Sequence, residues 1–167
     1  MVVCVDIYNS PLGVITLSCD DSGITSLAFA DCLVPEPCSA QNNLQAQVLS
    51  EAKAWLDIYF SGKEPCYTPK ISMSCTGFLR GVLEVVQSIR YGDTMTYMEI
   101  AKIIAHNTHP SRMLPRAVGL AVRRNPILLI VPCHRVIGSN GHLIGYSGGL
   151  DKKKRLLEME GVYTLAH

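Results

Sequence analysis

The chain has 167 residues, 48% of them hydrophobic and 17% charged, with a net charge of +1 at pH 7. That is one domain, or two small ones with a core of their own, and the composition is that of an ordinary globular chain. No apolar run approaches the roughly 20 residues of a membrane span, and MVVCVDIYNSPLG has no basic segment leading into an apolar one, so the cytoplasm, or the nucleus in a eukaryote, is the expected location.

In chain order, VVCVDIY, GVITLSC and ITSLAFA are runs of β-formers separated by NSPLG and DDSG, and they predict an antiparallel meander of three strands. A Pro-containing loop (34–39) leads to helical spacing of Leu44, Val48, Ala52, Trp55 and Tyr59, ended by Gly62. Residues 63–74, with Pro65 and Pro69, read as a connection. Phe78, Val82, Val85, Val86 and Ile89 then mark one face of a helix stopping at Tyr91-Gly92. Thr96-Tyr97-Met98-Glu99 is a capping box that opens a second helix through Ile100, Ile103 and Ile104. After a His-, Asn- and Pro-rich loop (106–115), a third helix runs from about Arg116 to Arg124, so that the last two resemble a helix-turn-helix with a long turn. NPILLIVPCHRVIG reads as an apolar strand delivering Cys133, and KKKRLLEMEG as a final helix.

Charge and cysteine are both unevenly distributed. Residues 1–75 carry three lysines against eight acids, whereas residues 76–160 carry twelve Lys and Arg against six acids, so the second part is the one expected to face a polyanion. Arg116, Gly119 and Arg123 share one helix face, and a glycine between two guanidinium groups allows close approach to a phosphate backbone. The seven cysteines form no CxxC pair and no even framework, which reads as reduced thiols. Cys133 alone lies in the second half, next to His134. A thiol attacks carbon as a thiolate, a nearby His can hold the proton, and an acid can orient that His; Glu158 and Glu160 are both available for this. In an extended segment Cys133 and His134 would point to opposite faces, so either the chain bends there or a water bridges them.

Pro132-Cys133-His134-Arg135-Val136, with Asn125-Pro126 before it and Gly145-Tyr146-Ser147-Gly148-Gly149-Leu150 after it, closely resembles the active-site signature of the O6-alkylguanine-DNA alkyltransferases, the methylated-DNA-protein-cysteine methyltransferases. Arg116-Ala117-Val118-Gly119 resembles that family's recognition helix, and Tyr91-Gly92-Asp93 through Thr96-Tyr97 its entry to the helix-turn-helix. The resemblance is strong over residues 78–161 and weaker before them, where SPLG and WLDIYFSG carry it. It implies an α/β (α+β) fold: an N-terminal domain, 1–75, with a small antiparallel sheet and a helix (ribonuclease H-like), and a C-terminal domain, 76–167, which is helical with a winged-helix-like helix-turn-helix. It also implies single-turnover, irreversible repair of O6-alkylguanine, with O4-alkylthymine as a second candidate substrate, by a monomer bound in the minor groove of double-stranded DNA after base flipping. No cofactor, metal or membrane is implied. Cys4 and Cys19 fall near two zinc-ligand positions of some relatives, but without a supporting His they are expected in the core.

Residue by residue, the resemblance makes Cys133 the nucleophile, His134 the base acting through a water, and Glu160 the acid that orients it. Asn125 would brace the junction of recognition helix and active-site strand, and Tyr97 would donate to the damaged base. Tyr146 and Ser147 would border the pocket, and the backbone carbonyls of Cys133 and Val136 would receive the guanine amino group. Arg116 would fill the stack vacated by the base, with Gly119, Arg123 and Arg135 as further DNA contacts. Two rival readings are a DNA-binding module without chemistry, which Cys133 argues against, and a Cys/His/Glu hydrolase, which would have no use for the basic face around Arg116.

Overall fold

The structure, a computed structural model, describes residues 4–30, 40, 42–108 and 115–162. The loop expected over 34–39 and most of the loop over 106–115 lie outside the described residues. The chain divides into two compact units, Met1–Ser74 with Pro126–Ile130, and Cys75–Asn125 with Val131–His167.

In the first unit, strands β1 (Cys4–Ser10), β2 (Gly13–Asp20) and β3 (Gly23–Phe29) form the antiparallel meander, in sheet order β1-β2-β3. The turn chemistry sets the strand ends. Ser10 Oγ donates to Gly13 O at the first turn, and Asp20 Oδ1 accepts from the backbone of Ser22 and Gly23 at the second. Along β2, Ile15, Leu17 and Cys19 alternate inward and are fully buried, which is the two-residue period of a half-buried strand. Helix α1 (Asn43–Phe60) packs on this sheet through Val48, Ala52, Trp55 and Tyr59, while Leu44, expected on the same face, is 57% exposed in the first turn. Asn42 caps α1 by accepting from Gln45 N at 2.9 Å, and Gly62 follows the helix with φ 77°. Residues 126–128 join the unit as a parallel bridge, Leu27 N donating to Pro126 O and Leu128 N to Leu27 O. Cys4 and Cys19 face one another across β1 and β2, and both are fully buried.

Among its described residues, the regular structure of the second unit is helical apart from one short strand pair. Helix α2 (Gly77–Gln87) precedes β4 (Met95–Thr96), α3 (Tyr97–Thr108) and α4 (Pro115–Arg123); then come a 3-10 turn (Cys133–Arg135), β5 (Val136–Ile137) and α5 (Leu150–Met159). The capping box at the start of α3 is complete, Thr96 N donating to Glu99 Oε2 at 2.7 Å and Glu99 N to Thr96 Oγ1 at 3.2 Å. Pro115 occupies the first position of α4, where its missing N–H costs nothing. Helices α3 and α4 pack together as the helix-turn-helix. β4 and β5 pair in parallel, Met95 with Val136, and this joins the entry of α3 to the residues just after the PCHR motif.

Two expectations change. Helix α2 ends at Gln87 rather than Tyr91-Gly92, because Ser88 caps it and the carbonyl of Ile89 is bonded by Arg135 Nη1 at 2.6 Å; on the apolar face, Leu83 is buried and Phe78 is 40% exposed. The apolar run before Cys133 is not a strand. Leu129 adopts a left-handed conformation with φ 68°, and the i to i+2 bonds Ile130 N to Leu128 O and Cys133 N to Val131 O turn the chain. Ile127, Leu128, Leu129, Ile130 and Val131 are all buried, and a turn buried on every side has the same apolar pattern as a buried strand.

No described helix is long and apolar enough to cross a membrane. Asn42→Ala removes an N-cap acceptor, and should cost about 1 kcal/mol in urea unfolding with the fold retained. An unchanged midpoint would show that another group caps α1.

Candidate active site

Pro132, at φ −81° and ψ 62°, turns the chain into the 3-10 turn, so Cys133 and His134 do not alternate across a strand. The Cys133 side chain is enclosed, the residue being 2% exposed, and Sγ accepts from Asn125 Nδ2 at 3.1 Å. The same amide donates to Val131 O at 2.8 Å, and Asn125 N bonds back to Val122 O, so one residue ties the end of α4 to the sulfur. Burial pushes the Cys133 thiol up to about 11, against smaller opposing pulls from the Asn125 hydrogen bond and the Lys153 charge. The resting side chain is therefore a thiol.

His134 is fully buried, and its Nε2 lies 2.8 Å from Glu160 Oε1. Glu160 caps the C-terminus of α5 and is gripped a second time by Arg135, Nε reaching Oε2 at 2.8 Å and Nη2 reaching Oε1 at 3.0 Å. Burial alone would raise the Glu160 carboxyl, but the bonds and charges of His134 and Arg135 together outweigh it and hold it at about 2. A carboxylate only accepts, so His134 Nε2 carries the ring hydrogen and Nδ1, which is also buried, is the basic nitrogen. Burial keeps the imidazole below its ordinary pKa despite the carboxylate, and Arg135 and Lys153 push the same way. Of the two acids on the last helix, Glu160 meets the His, whereas Glu158 lies 3.9 Å from Lys154 in a partly exposed pair.

Arg135 requires a correction. Expected as a DNA contact, it is 7% exposed, with its guanidinium on Glu160 and Ile89 O and 5.7 Å above the Tyr91 ring. A fork satisfied in this way is not offered to a phosphate. Tyr97 opens α3 and donates its hydroxyl to Ile144 O at 3.1 Å; burial first, then the proximity of Cys133, raise its pKa. The Tyr146 ring stands edge-on to His134 at 6.3 Å, and its buried hydroxyl has no hydrogen-bond partner among the described residues. Ser147 is exposed. Val136 is buried, and its carbonyl accepts from Lys153 Nζ at 2.6 Å.

On α4, Arg116 and Arg123 are exposed on either side of Gly119. They share a cleft of about 460 Å³ with Tyr97, Ile144 and Gly145. Lys153 is not singled out by the sequence, where it sits in a run of three lysines. It is fully buried, seven residues before Glu160 on the same helix. Among the described residues, no group of His, Cys, Asp and Glu could hold a metal.

Comparison with known proteins decides the family. Residues 77–162 match the model of the 6-O-methylguanine DNA methyltransferase DNA binding domain, and residues 3–72 that of the ribonuclease-like domain of the same methyltransferase. The chain belongs to the O6-methylguanine-DNA methyltransferase family. It is 38% identical over 156 residues to the methylated-DNA--protein-cysteine methyltransferase of Sulfolobus acidocaldarius, covering 93% of this chain and 92% of the relative. With the Methanosarcina acetivorans protein of the same name it is 43% identical over 157 residues, covering 93% and 96%. The crystal structure of the Mycobacterium tuberculosis O6-methylguanine methyltransferase superposes with a TM-score of 0.76 at 34% identity, covering 99% of this chain and 97% of that one. A crystal structure of Mycobacterium tuberculosis OGT in complex with DNA superposes with a TM-score of 0.77 at 36% identity, covering 92% and 90%.

As an O6-methylguanine-DNA methyltransferase, the chain repairs DNA by direct transfer of an alkyl group to a cysteine of its own, and DNA is its partner. The α+β architecture and the helix-turn-helix are those of the family, and the two rival readings, a binding module without chemistry and a hydrolase, are set aside.

Glu160→Gln leaves a buried guanidinium without its counter-charge. The Glu160 carboxyl is near 2 when folded and about 4.3 unfolded. Its stabilisation, of the order of 3 kcal/mol, is complete above the unfolded value and lost as the pH falls through the folded one. Urea unfolding of Glu160→Gln should show that loss at pH 7 and a flatter acid limb between pH 4 and 2. Parallel pH curves for the two proteins would exclude this linkage.

Proposed function

We propose that the chain acts as a monomer on DNA in the cytoplasm or nucleus, with α4 in the minor groove and the O6-alkylguanine nucleotide flipped toward Cys133. Arg116 fills the vacated stack, Arg123 contacts phosphate, and Gly119 lets the backbone approach. A Cβ on Gly119 would lie 3.8 Å from the Tyr97 ring, an ordinary contact, so the protein's own packing does not demand a glycine. Extrusion costs a few kcal/mol, which the fitted pocket and the inserted side chain offset.

In the pocket, Tyr146 and Ser147 border the base. Val136 O, already bonded by Lys153, has a second lone pair for the guanine amino group, which the Cys133 carbonyl also receives. The thiol proton passes through a water to His134 Nδ1, and Glu160 steadies the resulting imidazolium through Nε2–H. The thiolate forms a bond to the alkyl carbon as the carbon–O6 bond breaks. Guanine leaves with the bonding pair, while Tyr97 exchanges Ile144 O for the base and donates to it as it gains charge. The product thioether has no leaving group that water readily displaces, so each molecule acts once.

The observation that carries this reading is the pair of bonds at the centre of the second unit, Asn125 on the Cys133 sulfur and Glu160 on His134. After incubation with an O6-methylguanine duplex, intact mass should rise by one methylene, mapped to Cys133, and Cys133→Ser should abolish the gain while still binding DNA. A methylene mapped to another cysteine would move the nucleophile. Arg116→Ala should slow transfer from a paired lesion much more than from an unpaired one, because only the paired substrate must be unstacked. Arg123→Ala should weaken binding to all DNA alike and flatten its salt dependence by about one unit of slope. Equal slowing of both substrates by Arg116→Ala would leave Arg116 as a phosphate contact.

A further inference from the structure

Of the eight large apolar residues exposed among the described ones, three, Phe78, Leu120 and Ile144, lie beside helix α4. Ile144 shares the cleft of Arg116 and Arg123. Leu120 lines that cleft too, and it also lines a second, smaller groove of about 240 Å³ between α2 and α4, with Phe78, Leu79, Ala117, Ala121 and Arg124. It is therefore the ridge between the two. Leu120 is 57% exposed, four residues after Arg116, three before Arg123 and four before Arg124, and at helical spacing it neighbours all three guanidinium groups. No acid lines either hollow, and the smaller one is apolar apart from Arg124.

A lone exposed leucine is ordinary on a globular surface, but an apolar ridge set among guanidinium groups matches a partner that is itself charged at its rim and apolar beneath. The minor groove of DNA is built so, with phosphates along its edges and deoxyribose C–H groups forming its walls, and proteins that bind there set apolar side chains among their basic ones. We propose that Leu120, Phe78 and Leu79 form an apolar contact surface for the deoxyriboses of the duplex, with Arg124 on the adjoining phosphate, so that DNA covers the α2–α4 groove as well as the Arg116 cleft. This rests on the reading that α4 faces DNA, and the groove is continuous with that face through Leu120. It brings α2, a helix outside the helix-turn-helix, into the interface. Because every nucleotide carries the same sugar, the contact reads neither sequence nor lesion and holds damaged and undamaged duplex alike. Burying apolar area releases no counterion, so this part of the affinity persists where salt weakens the phosphate contacts.

The test measures binding of the full chain to a short undamaged duplex by fluorescence anisotropy across a range of salt concentrations. Leu120→Ala removes the ridge while keeping a strong helix former in α4, and Phe78→Ala removes the opposite wall. Leu44→Ala, equally exposed at 57% but on α1 in the first unit, reports the loss of an apolar surface residue elsewhere. Leu120→Ala and Phe78→Ala should each lower affinity about fourfold or more, since one buried methylene is worth about that factor, and should leave the slope of log affinity against log salt unchanged. Arg124→Ala should flatten that slope by about one unit, and Leu44→Ala should bind as the unaltered protein does. Unaltered duplex affinity in Leu120→Ala, an equal loss in Leu44→Ala, or a flattened slope in Leu120→Ala would overturn the proposal. So would sedimentation showing a dimer of the free chain that Leu120→Ala dissolves without loss of DNA affinity, which would give the groove to a second copy. Unaltered affinity in both Arg116→Ala and Arg123→Ala would instead overturn the reading of α4 on which the proposal rests.

Discussion

A single buried carboxylate, Glu160, shared between an imidazole and a guanidinium, is the constraint on which the rest of the site depends. Taking a carboxylate out of water costs several kcal/mol unless its lone pairs are met. Here Arg135 meets both oxygens and His134 shares one of them. The guanidinium makes this possible because its planar fork fits a carboxylate. Burial keeps the imidazole neutral despite the carboxylate, the guanidinium pushes the same way, and a neutral imidazole is the form that can take a proton. The same fork bonds Ile89 O, which places the end of α2 in the arrangement.

Three helix ends converge on the sulfur and its base. Asn125, just past α4, holds the thiol; Glu160, at the end of α5, holds the imidazole; Tyr97, at the start of α3, bonds Ile144 O and, besides its burial, is close enough to Cys133 for the sulfur to raise its pKa. Side chains at helix ends have backbone capping to fix them and short paths to neighbouring elements, which suits positions whose geometry must be held closely. The basic face of α4 and Tyr97 line one cleft, and both belong to the same unit.

Much of this was legible because it depends on local chemistry. The meander followed from turn residues between β-formers, the start of α3 from a four-residue capping box, and the site from PCHRV in its setting. The illegible parts depend on what is distant in the chain. Arg135 read as a DNA contact because a basic residue beside a catalytic motif in a basic domain has that default, and only the fold brings Glu160 to it. Lys153 was hidden in a lysine run, since one buried lysine of three has no local signature. The run 127–131 looked like a strand because complete burial erases the alternation that tells strand from turn, and the left-handed Leu129 has no glycine to announce it. The β4–β5 pair, two residues on each side, is too short to leave a periodicity.

The enclosed, protonated state of Cys133 bears on how long the molecule stays useful. A protein that reacts once is a reagent, and the repair capacity of a cell is the number of copies whose sulfur is still unspent. Thiolates are what oxidants and stray electrophiles consume, and their rate of attack follows thiolate fraction and access. With its thiol raised to about 11 and 2% exposed, Cys133 offers such compounds little of either. An enclosed, protonated sulfur is therefore a slower target for such compounds than an exposed thiolate would be, which favours keeping each copy unspent until it meets damage.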